Sequence, residues 1–259
     1  MEELTGGLQT LGEDGARLLV LTGAGVSAES GLATFRDSNG LWEQHRVEDV
    51  ASPEGFVRDP TLVWKFYSLR REQAKGVEPN PGHRALAEVE ERLQDRFLLV
   101  TQNVDGLHQR AGSERVIEIH GSLFRTKCSG CDLEPFDDHA SYLDRALPTC
   151  DQCERRGRRA LLRPDIVWFG EMLDPYHLQA IDAFMRRAAG HPFIFMAVGT
   201  SGAVWPAAGL VNQARSLGAS TILVNAEPAE NTRRFHQFVQ AKSSEALPAL
   251  LGVKASPSR

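Results

Sequence analysis

Four cysteines carry the most readable chemistry of this chain. They stand as Cys128-Ser-Gly-Cys131 and, after eighteen residues, Cys150-Asp-Gln-Cys153. A two-residue gap turns both thiolates of a pair toward one tetrahedral ion, and two such pairs complete a closed site with no position left for water. Two disulfides or a redox dithiol are the alternatives. The N-terminus, MEELTGGLQT, lacks the basic-then-apolar pattern of a secretory signal. Cytosolic thiols stay reduced, and a cytoplasmic location is expected here. The spacing therefore predicts a structural Zn2+ on Cys128, Cys131, Cys150 and Cys153. The flanks are rich in Asp, Pro and Arg, so the metal has to supply much of the local folding energy.

A second candidate is Gly23-Ala24-Gly25-Val26-Ser27-Ala28, which matches G-x-G-x-x-[GA] directly after the apolar run Arg17 to Thr22. Such glycines let the backbone approach a pyrophosphate at a helix start. The same six residues also suit a plain tight turn. A dehydrogenase fold wants a second strand ending in an acidic residue about 20 positions on. The stretch Ser38 to His45 does not read as a strand, which disfavours an ordinary dehydrogenase. Two later strand ends, Gly199-Thr200-Ser201 and Asn225-Ala226-Glu227, carry polar groups where such sheets bind ligands. Each can also be a turn and nothing more.

The elements that must position these residues alternate. Buried strands are predicted at Arg17 to Thr22, Phe97 to Thr101, Val116 to Ile119, Phe193 to Val198 and Ser220 to Asn225, the last clear one. Ser27 to Ser30 can open a helix. Ser52-Pro53 and Asp59-Pro60 read as N-caps followed by Pro at the first helical position. The second starts a helix to about Ala74 bearing Trp64, Phe66, Tyr67 and Arg70. Further helices are expected over His83 to Arg96, from Asp174-Pro175 to about Ala189, from about Trp205 to Leu217, and over Glu245 to Leu251.

This alternation predicts an α/β fold with a Rossmann-like, doubly wound parallel sheet built from 1–37, 81–121 and 165–259. Two segments break the pattern: a helical insertion, 38–80, and a zinc-ribbon insertion, 122–164. Together they are expected to form a smaller domain over the C-terminal edge of the sheet. The chain has 259 residues, 42% apolar and 24% charged, with a net charge of -5. The acidic balance argues against direct nucleic-acid binding. No apolar run approaches the roughly 18 residues of a membrane span.

Several motifs now fall in one order: Gly23 to Gly31, Thr34-Phe-Arg36, Thr101-Gln-Asn-Val-Asp-Gly-Leu-His108, Ile119-His-Gly121, the four cysteines, Val167-Trp-Phe-Gly-Glu171 and Gly199-Thr-Ser201. In this order they resemble the sirtuins, NAD-dependent protein-lysine deacylases. The likeness runs from about Leu18 to Leu251. It implies a Rossmann-like domain, a zinc-binding small domain and an active site between them. NAD is then a co-substrate. The resemblance places its pyrophosphate over Gly23, Ala24 and Gly25, with Gly199, Thr200 and Ser201 at phosphate or ribose. Asn225 and Glu227 would meet the adenosine ribose, Gln102 the nicotinamide ribose, and Asn103 and Asp105 the nicotinamide amide. Phe35 would screen the reactive sugar carbon and Arg36 would position phosphate.

The resemblance further implies attack of the acyl-lysine carbonyl oxygen on that carbon, with His120 as general base for a ribose hydroxyl. An imidazole suits this, since its pKa lies near working pH. His108, the nearest rival, is expected to be a packing or hydrogen-bonding residue. Val167, Trp168, Phe169, Gly170 and Glu171 would line the acyl-lysine tunnel, and a substrate peptide would add as a strand. Tyr67 and Arg70 are similar to the Tyr-x-x-Arg pair of the branch that removes succinyl, malonyl or glutaryl groups. At i and i+3 they share a helix face and can bind a distal carboxylate. An aromatic core residue followed by a surface Arg would look the same. Bacterial members with this pair also deacetylate, so acetyl-lysine stays open. Many sirtuins carry Asp where Thr34 stands, and its absence here suits an acidic acyl group. The expected partners are acyl-lysine proteins or peptides, with no membrane. The competing readings are an NAD or ADP-ribose sensor, a protein ADP-ribosyltransferase and a zinc-ribbon DNA adaptor.

Overall fold

A computed structural model describes residues 15–33, 41–42 and 45–253. Its main sheet has six parallel strands: β1 (Arg17–Thr22), β4 (Phe97–Thr101), β5 (Val116–Glu118), β9 (Phe193–Val198), β10 (Ser220–Asn225) and β11 (Gln237–Gln240). They lie in the order β11-β10-β9-β1-β4-β5. Successive strands run outward from β1 on one side and from β9 on the other. That is the doubly wound Rossmann order, and its switch point falls between β1 and β9.

Side chains alternate along β1, as a strand requires. Leu18 and Val20 enter one core with Leu86, Val89 and Leu93 of helix α5 (Pro81–Leu93) and Leu247 and Leu251 of helix α10 (Ser243–Leu251). Leu19 and Leu21 enter the other, with Ile181, Phe184 and Met185 of α8 (Pro175–Ala188) and Val211 and Ala214 of α9 (Leu210–Ser216). Both faces of the sheet are thus covered by helices.

A third core joins the segments that break the alternation. Helix α3 (Pro53–Arg58) starts where the Ser52 hydroxyl accepts from the Gly55 amide, and α4 (Pro60–Lys75) where Asp59 accepts from Leu62. The caps and the following prolines stand as the sequence predicts. Trp64, Phe66 and Tyr67 of α4 pack with Leu123, Ile166 and Trp168. Leu123 lies on β6 (Gly121–Cys128) and Ile166 on β8 (Leu162–Ile166), two antiparallel strands of a three-stranded sheet completed by β7 (Phe136–Asp137). Arg71 is fully buried on the same helix. It pairs with Asp138 at 3.2 Å and donates to the carbonyl of Ala140 at 2.8 Å and to Thr126 at 3.1 Å. A buried guanidinium is tolerated only when so fully partnered.

Several expectations change. The helix after β1, α1 (Ala24–Ala28), is made of the glycine motif itself and does not wait for Ser27. Beyond Asn225 lies a further strand, β11, whose sequence Gln-Phe-Val-Gln is short and half polar because it is a sheet edge. The helix expected from Trp205 begins only at Leu210, after a 3₁₀ turn over Ala207–Gly209 that follows Pro206. Within Ser38 to His45 the described residues contribute only a two-residue ladder, β2 (Leu41–Trp42) against β3 (His45–Arg46), outside the main sheet. β6 and β8 have no clean alternation in the sequence.

Candidate active site and thiolate cluster

The four Sγ atoms lie within 4.8 Å of one another, with Cys128–Cys153 and Cys131–Cys150 each at 3.7 Å. A tetrahedron with Zn–S bonds of about 2.3 Å has edges of about 3.8 Å, so the donor set fits Zn2+. A disulfide needs about 2.05 Å, and all four thiols are free. The Gly130 amide donates to the Cys128 sulfur at 3.2 Å, which turns the first knuckle inward.

At the switch point the glycines have a defined packing task. A Cβ on Gly23 would stand 2.7 Å from the Gly199 carbonyl oxygen, and one on Gly25 2.8 Å from the Gly199 Cα. The amides of Gly23 and Gly25 donate to the carbonyls of Val198 and Gly199 at 2.9 and 2.8 Å. Both N–H groups are therefore spent inside the protein, and what the two glycines provide is close approach of the β1 and β9 ends.

Around this contact the polar groups from several strand ends converge. Gln102 Nε2 donates to Thr200 Oγ1 at 3.0 Å, and Asn225 Nδ2 to the Thr200 carbonyl at 2.7 Å. Asn103 Nδ2 donates to the Gly23 carbonyl at 3.1 Å and to Ser27 Oγ at 2.9 Å. Asp105 accepts from the Leu107 amide at 2.9 Å. Burial raises the Asp105 carboxyl above the usual range, against a hydrogen bond from Ser27 and the field of Arg70. Ser27 thus links the Asn103 and Asp105 side chains, a role the sequence reading missed although the residue lies inside the glycine motif. Ser201 accepts from the Ala203 amide at 3.3 Å. Glu227 is exposed beyond the end of β10, and Ala24 is half-buried on α1. Phe35 and Arg36 lie outside the described residues.

His120 sits between β5 and β6. Its Nδ1 is 3.1 Å from the Gln102 carbonyl oxygen. Its own carbonyl accepts from the Val167 amide at 2.9 Å. Burial lowers the imidazole pKa, and the bond to Gln102 opposes this. Gly121, with φ of 82°, takes the chain past β8, where a Cβ would stand 1.9 Å from the Asp165 carbonyl oxygen. His108 is buried, as expected, with Nε2 2.9 Å from Thr22 Oγ1.

Tyr67 and Arg70 are both buried, at 0% and 8% exposure, so the pair is not a core aromatic with a surface cation. Burial pushes the Tyr67 phenol well up, and it stays protonated. Arg70 Nη1 is 3.4 Å from the Ala33 carbonyl, and its field reaches both Tyr67 and Asp105. Trp168 is buried and donates from Nε1 to Tyr67 Oη at 3.0 Å. Val167 is half-buried, while Phe169 and Gly170 are exposed. Glu171 departs from a simple tunnel-lining role. Its carboxylate accepts from Arg163 at 2.6 and 2.8 Å and from the Trp168 amide at 2.9 Å. Burial would raise its pKa, but these bonds outweigh burial and hold it below the usual range.

The order of strands, the polar groups gathered at the switch point and the thiolate cluster define a dinucleotide-binding α/β protein with a metal-stapled module. Residues 23–206 match the Sir2 family, and the chain belongs to it. It is 48% identical over 236 residues to a Salmonella typhimurium protein named NAD-dependent protein deacylase, spanning 90% of this chain and 81% of that one. A solved Sir2 homolog–NAD complex aligns with a TM-score of 0.84 at 40% identity, over 97% of this chain and 93% of the other. Sir2Af2 bound to a myristoylated histone peptide aligns at 0.71 and 33% identity, over 97% and 96%. Among the described residues no helix is long and apolar enough to cross a membrane.

Proposed function

We propose that this protein uses NAD to remove acyl groups from protein lysines, with succinyl and malonyl preferred and glutaryl and acetyl as further substrates. The products are the free lysine, nicotinamide and O-acyl-ADP-ribose. The observation that carries the acyl preference is the burial of Tyr67 and Arg70 one helical turn apart beside Trp168. A guanidinium and a neutral phenol on one buried helix face can both donate to the carboxylate at the end of an acyl chain, which an acetyl group lacks.

Asn103 and Asp105 hold the nicotinamide amide, tied together through Ser27. Gln102, Thr200 and Asn225 form one hydrogen-bonded set that meets the sugars. NAD supplies an electrophilic sugar carbon as its nicotinamide departs. His120 takes a proton from the ribose hydroxyl. A carbonyl oxygen can only accept, so the bond to Gln102 puts the ring proton on Nδ1 and leaves the lone pair on Nε2 for this work. Trp168, Val167 and Phe169 wall the lysine stem, and Glu171 braces them from behind. The four thiolates hold Zn2+ as a structural staple.

Peptides of one sequence carrying succinyl, malonyl, glutaryl or acetyl lysine, incubated with NAD, test the reading by nicotinamide release. Release on the succinyl and malonyl peptides ahead of the acetyl one is expected. NAD binding without release on any of the four would favour a sensor.

A further inference from the structure

Arg163, on β8, is buried at 6% exposure. Its guanidinium carbon lies 3.4 Å from the centroid of the Trp168 ring. Nη1 and Nη2 grip the two Glu171 oxygens at 2.6 and 2.8 Å, and Nη2 also donates to the Ile166 carbonyl at 2.6 Å. These bonds hold the cation in place over the indole ring. Glu171 also holds the Trp168 amide at 2.9 Å. The Nε1 of the same indole donates to Tyr67 Oη at 3.0 Å. Glu171, Arg163, Trp168 and Tyr67 thus form one braced series that ends on the phenol of the acyl pocket.

A buried ion pair is a poor stabiliser, since apolar groups of the same volume often do as well. Placed under Trp168, this one does something apolar groups would not. Only a planar guanidinium can stack on an indole and bind a carboxylate in bidentate fashion at once; an ammonium can do neither. Because Tyr67 Oη accepts from Trp168, the phenol meets an incoming carboxylate as an O–H donor. The strength of that bond depends steeply on where the oxygen stands, and a displacement of about 1 Å can cost on the order of 100-fold. The methyl of an acetyl group makes no such demand.

We infer that Arg163 is a positioning residue for acyl selection: by fixing the Trp168 indole it sets where the Tyr67 hydroxyl stands, and so favours acyl chains that end in a carboxylate. This rests on the reading of Tyr67 and Arg70 as the carboxylate-binding pair. The test compares full-length, zinc-loaded wild type, Arg163→Lys, Arg163→Met and the double variant Tyr67→Phe/Arg70→Met on succinyl- and acetyl-lysine peptides of one sequence. For Arg163→Lys, kcat/KM on the succinyl peptide should fall about tenfold, mostly through KM, as loss of one charge-assisted bond predicts. The acetyl value should fall much less, through the Trp168 wall that both lysine stems share, with NAD affinity unchanged. Arg163→Met should show the same split more strongly. If it does not fold with Glu171 unpaired, Arg163→Lys, which keeps the charge, decides alone. An equal fall on both peptides, or no fall on the succinyl one, in protein that binds NAD normally overturns the inference. If Tyr67→Phe/Arg70→Met also lowers both peptides equally, the carboxylate reading itself has failed. If that pair discriminates and Arg163→Lys does not, only the role of Arg163 has.

Discussion

The Nδ1 of His120 stands 3.1 Å from the carbonyl oxygen of Gln102, so the residue that faces the nicotinamide ribose in the proposed reaction also sets the tautomer of the base. His120→Ala should bind NAD with near wild-type affinity, while kcat falls by about 100-fold or more. Burial depresses the imidazole pKa below 6.5. The base works when neutral, so the acid limb of kcat/KM should have its midpoint below 6.5 and activity should be level above it. Isothermal titration with NAD and a pH series of nicotinamide release check both. An acid limb centred above 7 would contradict the assignment.

Tyr67 and Arg70 should govern acyl choice. Tyr67→Phe removes the hydroxyl that accepts from Trp168, and Arg70→Met removes the buried cation. Each should lower succinyl kcat/KM by about tenfold or more, the worth of a charge-assisted hydrogen bond. Acetyl turnover should change far less. Steady-state kinetics on the two peptides decide the matter, and parallel losses would remove the carboxylate role.

The thiolate cluster predicts one zinc per chain. Cys150→Ser, or a strong chelator, should release the metal and loosen the module built on β6 and β8, lowering the melting temperature. Metal analysis beside thermal melts gives the answer. Retained stability after complete zinc loss would show that the third core suffices without it.

Gly121→Ala should be among the most damaging single-methyl additions. Its φ of 82° is left-handed, and the new Cβ would meet the Asp165 carbonyl oxygen at 1.9 Å. The β6–β8 pairing has to shift, at about 2 kcal/mol or more, and His120 shifts with it. Chemical denaturation and turnover should fall together; an unchanged denaturation midpoint would speak against the steric argument.

Much of this was legible in the residues. The Ser52 and Asp59 caps, the apolar runs of β1, β4, β9 and β10, and the spacing of the four cysteines each carry a local physical signal. The two-layer core followed from strand-helix alternation. What could not be read is non-local. β11 is a half-polar edge strand that only its neighbour β10 defines. The glycine motif suggested an anion cradle, yet its first and third residues are glycine here because Gly199 passes within 3 Å of where their side chains would begin. The pairing of Arg163 with Glu171 and the bond from Trp168 to Tyr67 span 8 and 101 positions, and no periodicity announces such contacts. Glu171 groups with its sequence neighbours as a cleft residue; its oxygens are occupied from within by Arg163 and the Trp168 amide.

The join between the two sheets has an evolutionary corollary. β5 ends at Glu118 and β6 begins at Gly121, so Ile119 and His120 are all the slack the chain has there. A single inserted residue would break both ties of His120 together, that of its imidazole to the Gln102 carbonyl and that of its own carbonyl to the Val167 amide. The run between β7, which ends at Asp137, and Cys150 holds no helix or strand and can lengthen at small entropic cost. Relatives of this protein should therefore vary in length around the metal module and keep the two-residue link invariant in length, so that new partner surfaces can be grown on one body without retuning the base.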